Sequence, residues 1–280
     1  MARYKLTLAY DGSGFAGSQR QAATKARTVQ GELEKALRTL GWTARSVILS
    51  GRTDTGVHAT GQVASADLAW SHPESDLVRA LNSALPSDVA VWSAEAVEDT
   101  FHPRFDATSR RYRYSLFCQS LRDPIRERFA WRVQPAIKPE LLATAAELLM
   151  GAHDFSAFGS PTTPKGTVVR TVKKAEWTQA AEDGTWQFEV QADAFLYRMV
   201  RRMVFVQIAV AQGKVPAEAI AQALAKQLPV SPEPSRHLHL PDTGPSGTGV
   251  AQVQVRATAR SRLPSGLAPA HGLTLVEVTY

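Results

Sequence analysis

The 280-residue sequence holds a single cysteine, Cys118, which excludes an intramolecular disulfide framework and any zinc site built on cysteines. Cys118 ends an alternating apolar stretch and reads as a small core residue. No run of eighteen apolar residues occurs. The closest, Met199 to Val210, is short and carries Arg201 and Arg202, so no membrane span is expected. The opening MARYKLTLAY lacks the apolar core of a signal peptide, and the expected compartment is the cytoplasm. The H-E-x-x-H, Walker A and G-x-S-x-G templates are absent, and no metal site is expected. Gly12 to Gly17 satisfies G-x-G-x-x-G by letter. The acids about twenty residues on, Glu32 and Glu34, fall inside a predicted helix, so the dinucleotide reading fails.

Lysine is scarce, nine residues against 23 arginines, within a net charge of +6 and a pI near 9.6. Arginine suits bidentate phosphate contacts and stacking on bases, although a GC-rich genome would give the same bias. From Phe101 to Arg132 eight arginines face three acids, a net +5, interleaved with Phe101, Phe105, Tyr112 and Tyr114. Basic residues mixed with aromatics are the composition of a nucleic-acid surface. At 44% hydrophobic and 21% charged the chain is otherwise ordinary globular protein, long enough to build a core without staples.

Tyr4, Leu6, Leu8 and Tyr10 alternate with polar positions, the period of a half-buried strand. Thr28 is a candidate N-cap for a helix whose apolar face is Val29, Leu33, Ala36, Leu37 and Leu40, with Gly41 at the stop. Val47 to Leu49 reads as a short strand, Glu74 to Ala84 as a helix, and Val89–Val97 and Arg110–Cys118 as strands. A helix over Pro139 to Met150, strands near Val168–Thr178 and Trp186–Ala192, helices over Phe195–Gln212 and Pro216–Lys226, and a last strand from Leu273 follow. The pattern predicts an α+β protein in two similar halves, 1–108 and 109–280. A Pro/Gly-rich stretch, about 229–270, reads as a surface insertion holding an edge hairpin over Gly249 to Thr258.

The strongest chemical signal is Gly51-Arg52-Thr53-Asp54-Thr55-Gly56-Val57-His58, a polar loop between two predicted strands. It offers a carboxylate, a guanidinium and an imidazole where glycines permit close approach of a ligand. A lone turn aspartate is more often a cap than a catalyst, so the loop alone does not decide. Arg104 and Arg110, in the basic segment, are candidate phosphate contacts.

Motifs in order along the chain carry a resemblance. They are Tyr10-Asp11-Gly12 with Phe15, Gly17 and Gln19; Thr28-Val29-Gln30 with Leu33-Glu34; the Gly51 to Ala59 loop; Phe101-His102 with Arg104-Phe105; Arg111 to Tyr114; His153-Asp154-Phe155 with Phe158; Phe195 with Met199-Val200-Arg201; and Gly272-Leu273 with Leu275. In these the chain resembles the TruA family of tRNA pseudouridine synthases. The resemblance implies RRM- or ferredoxin-like halves forming one mostly antiparallel sheet flanked by helices. It implies that uridines at positions 38, 39 and 40 of the tRNA anticodon arm become pseudouridine, in a homodimer without a cofactor. Asp54 matches the essential aspartate, Arg52 an arginine that helps flip the base, Tyr112 a tyrosine stacked on the uracil, and Arg201 an arginine paired with the aspartate. Leu273 would line the pocket, and Phe101-His102-Pro103-Arg104-Phe105 would touch RNA. The sequence departs from the family pattern where Ser18 stands in place of a tryptophan and where Phe205 replaces a glycine. A silent RNA-binding module and an aspartate-dependent N-glycosidase share parts of this composition and remain as rivals.

Overall fold

In the computed structural model, which describes residues 1–21, 26–163, 166–225 and 263–280, the opening alternation becomes strand β1 (Ala2–Tyr10). Tyr4, Leu6, Leu8 and Tyr10 are its buried face. There follow α1 (Val29–Thr39), β2 (Ile48–Leu49), β3 (His58–Leu68), α2 (Glu74–Ala84), β4 (Val89–Val97), β5 (Ser109–Cys118) and β6 (Trp131–Val133). Then come α3 (Pro139–Glu147), β7 (Gly151–Asp154), β8 (Val169–Gln179), β9 (Trp186–Ala192), α4 (Met199–Ala211), α5 (Glu218–Leu224) and β10 (Leu273–Thr279). Thr28 caps α1 by accepting from Gly31 N–H, and Gly41 takes the left-handed conformation behind it.

The strands form one sheet in the order β4-β1-β3-β10-β5-β9-β8-β7, with β2 on β3 and β6 on β5. All pairings are antiparallel except β10 with β3 and β5 with β6. The strand from the end of the sequence thus lies mid-sheet, joining β3 to β5. At this joint a Cβ on Gly61 would lie 2.1 Å from the Val276 carbonyl oxygen, so only glycine lets the strands close.

Two apolar layers hold the helices on the sheet. Leu6 and Leu8 meet Leu33, Leu37, Leu77 and Leu81 of α1 and α2. Phe188 and Val190 of β9 share a second core with Leu142 of α3 and Met203 and Val204 of α4. α4 is buried nearly all round, which explains why its sequence is apolar apart from Arg201, Arg202 and Gln207. Among the described residues no helix is long and apolar enough to cross a membrane.

Three expectations change. The helix foreseen from Phe195 begins at Met199, because Tyr197 bridges to Ser160 in extended form and Arg198 adopts φ 62°. Cys118 is exposed, not core: β9 stops pairing at Leu116, leaving Cys118 with a neighbour strand on one side only. Loop composition runs to residue 270, yet Ala268 is fully buried and Pro269 O accepts a hydrogen bond from the core residue Tyr114. Residues 229–262 of the foreseen insertion, with the Gly249–Thr258 hairpin, lie outside the described residues. Gly61→Ala is expected to force β3 from β10 and cost about 1–3 kcal/mol. A thermal melt checks this, and an unchanged Tm would show that the contact is not a constraint.

Candidate active site

The loop from Gly51 to Val57 links β2 to β3 and is held from beneath. Ser18, fully buried, donates its N–H to Thr53 O (3.1 Å) and accepts the Thr53 N–H on Oγ (2.8 Å). Tyr10 Oη lies 2.9 Å from Thr53 Oγ1. Gly17, at φ 99°, is the residue that lets Ser18 approach, since a Cβ there would sit 2.9 Å from Thr53 O. Asp54 O accepts from Val57 N–H (3.1 Å), closing the turn and leaving the carboxylate to face a cleft.

Across the cleft, Arg201 stands in the first turn of α4. Its Nη1 donates to Asp54 Oδ2 at 2.8 Å, and its Nε donates to Ala268 O at 2.8 Å. Both side chains of the pair are mostly buried, 15% exposed for Arg201 and 21% for Asp54. A guanidinium fixed by two bonds orients the carboxylate through a charge-assisted hydrogen bond. Tyr112, in β5 between β10 and β9, meets the Phe195 ring edge-on at 5.1 Å. Burial pushes its phenol up, so it stays protonated. Leu273 is buried at the start of β10 and lines the same cleft.

The cleft measures about 1360 Å³, and Arg52, Asp54, Tyr112, Arg201, Leu273, His102, Arg104, Phe105 and Arg110 all reach it. Arg52 is exposed at its mouth. Phe105 is 76% exposed and stacks on the His102 ring with centroids 4.2 Å apart. Phe101 and Pro103 do not line the cleft. Phe101 packs on Tyr280, and Pro103 O accepts from Tyr280 Oη, so these two anchor the segment that presents their neighbours. Arg110 is placed in the wall, but its two Nη groups donate to four main-chain carbonyls, those of Ala107, Asp193, Ser50 and Arg104.

A family described as tRNA pseudouridine synthase matches residues 7–106 and 145–241 of this chain. The tRNA pseudouridine synthase A of Limosilactobacillus fermentum is 36% identical over 283 residues, covering 100% of this chain and 96% of the relative. The chain belongs to the tRNA pseudouridine synthase family. That of Solidesulfovibrio magneticus is 42% identical over 234 residues, covering 80% and 83%, and that of Neisseria meningitidis serogroup B 35% over 265 residues, covering 95% and 97%.

Within this pseudouridine synthase several residues support the site in ways the sequence does not signal. Tyr10 belongs to a family motif and Ser18 departs from one, but that both hold the Asp54 loop is visible only in the fold. His58 is flagged by the loop motif but not by a partner. In the fold its Nδ1 accepts from Gly12 N–H (3.0 Å), and its Nε2 faces His271 O (3.1 Å), which fixes the proton on Nε2. The imidazole therefore ties the end of the loop to the turn ahead of Leu273. Burial lowers the His58 pKa, with Asp11 and the His271 carbonyl opposing in part, and burial lowers His271 too. Both fold as neutral rings. The unfolded chain takes up protons first as pH falls through about 6.5, so their stabilisation is present above that pH and declines below it. The Tm should fall between pH 7 and pH 5.5, and less in His58→Gln. A wild-type Tm that holds flat over that window would contradict the neutral assignment.

Proposed function

We propose that this chain converts uridines 38, 39 and 40 of the tRNA anticodon arm to pseudouridine, with Asp54 as the reacting carboxylate. The reading rests on one observation above the others: the Asp54 carboxylate, held at 2.8 Å by Arg201, faces a cleft beside Tyr112. Residues 1–108 supply Asp54 and Arg52, and residues 109–280 supply Tyr112, Arg201 and Leu273, so the two halves complete one site.

The isomerisation breaks N1–C1′, turns the uracil, and forms C5–C1′, with the C5 hydrogen passing to water. The base must first leave its stack, at a cost of a few kcal/mol. Arg52, exposed at the mouth, fills the vacated space. Tyr112 and Leu273 wall the pocket, and the protonated phenol adds no charge to it. Asp54 then attacks C1′ or takes the C2′ proton, and Arg201 holds it aimed through either step. His102, Arg104 and Phe105 meet the RNA at the rim. The protein acts as a cytoplasmic homodimer.

With tRNA tritiated at uracil C5, the wild-type enzyme should release tritium to water and no free uracil. Asp54→Asn should abolish the release while changing tRNA affinity by only a few-fold, because phosphate contacts dominate binding. Turnover by Asp54→Asn would remove Asp54 from the reaction, and free uracil would favour the N-glycosidase.

A further inference from the structure

Most arginines of the basic segment pair with carboxylates of the chain itself. Arg111 and Arg113 bind Glu189, Arg122 and Arg132 bind Glu127, and Arg128 binds Asp11. Arg170, outside that segment and without any motif, is treated differently. It lies at the start of β8, where β8 pairs with β7 but not with β9, and it lines the cleft. Among the described residues it has no carboxylate within ion-pair distance. Its one hydrogen bond runs from Nη1 to the carbonyl of its own neighbour, Val169, and its Nε is buried with no acceptor. The nearby acid, Asp193, offsets part of the cost of burying Arg170 by its charge but makes no ion pair with it, and its Oδ1 accepts from the Thr171 and Ala194 N–H groups.

A part-buried guanidinium with an orphaned donor costs stability unless an anion completes it. The fold gives Arg110 four main-chain carbonyls and Arg201 a carboxylate on the same cleft, whereas among the described residues Arg170 has only the Val169 carbonyl and no ion-paired carboxylate. Among the described residues its Nη2 donates to no group, so the cleft-lining guanidinium keeps a donor for a phosphate oxygen. We propose that Arg170 binds a backbone phosphate of the RNA on the β8 wall of the cleft. This rests on the reading of the chain as a tRNA-modifying enzyme. Thr162 and Arg104, joined at 3.4 Å, border the cleft with Arg170, and among the described residues the Arg104 guanidinium has no carboxylate within ion-pair distance either.

The claim separates binding from structure, because a residue kept for a ligand burdens the empty protein. Arg170→Met should bind an unmodified tRNA transcript about tenfold more weakly. Its log–log salt slope should flatten by about 0.7–0.9, one phosphate contact. Its Tm should stay the same or rise. Arg170→Gln, which keeps polarity without charge, should show the same loss of affinity and slope. In anticodon stem-loop RNAs carrying one neutral methylphosphonate at a time, a single position should weaken wild-type binding and leave Arg170→Met unaffected. An unchanged affinity and slope, or a lowered Tm with affinity intact, would overturn the proposal. Tritium release by the wild-type protein is followed in parallel. Its absence would overturn the reading of the reaction, while the slope still reports on Arg170.

Discussion

The 2.8 Å contact between Asp54 and Arg201 joins side chains 147 residues apart, and much of the architecture bears on that distance. Asp54 is delivered by a loop clamped to Ser18 and Tyr10 at the end of β1. Arg201 is delivered by α4, whose apolar flanks fix it in the second core and whose start is set by the left-handed Arg198. The two cores are bridged by β10, which pairs with β3 on one side and β5 on the other. The turn before β10 supplies the Ala268 carbonyl that holds the Arg201 Nε and the His271 carbonyl that receives His58. A charge pair that is mostly desolvated gains from such fixed geometry, since attraction offsets desolvation only when the partners are well aligned.

The same principle sorts the arginines. Glu189 illustrates the structural use: burial alone would raise it, but hydrogen bonds from Arg113 and Lys174 hold it at about 2. Those charges tie β5, β8 and β9 together through one carboxylate. The cleft arginines Arg52, Arg104 and Arg170 lack such partners among the described residues. Local net charge therefore does not separate arginines held by carboxylates from those that line the cleft without one.

This explains what was legible beforehand. Short-range patterns read true: α2 spans Glu74–Ala84 and β4 spans Val89–Val97 as the periodicity foresees, and Thr28 and Gly41 bracket α1. The Asp54 loop was visible because glycines and polar residues between two strands are a local signal. The place of β10 was not, since its partners lie far away in sequence and its own alternation fits any sheet position. Nor was the pairing of Arg111 with Glu277, or the exposure of Cys118, both set by which strand lies alongside. Ser18 could be seen as a departure from the family's tryptophan, but its hydroxyl contact with Thr53 exists only in the fold.

The central claim is that Asp54 and Arg201 are energetically coupled across the joint. A thermal-melt double-mutant cycle with Arg201→Met and Asp54→Asn measures that coupling directly. Arg201→Met strands a mostly buried carboxylate and should cost about 3 kcal/mol, the low end for breaking a buried pair. Asp54→Asn should cost less, because the arginine stem can turn its head toward water. The double variant should recover at least about 1 kcal/mol of the summed loss. Strictly additive losses would contradict the account, for they would mean that the two charges do not hold each other in place.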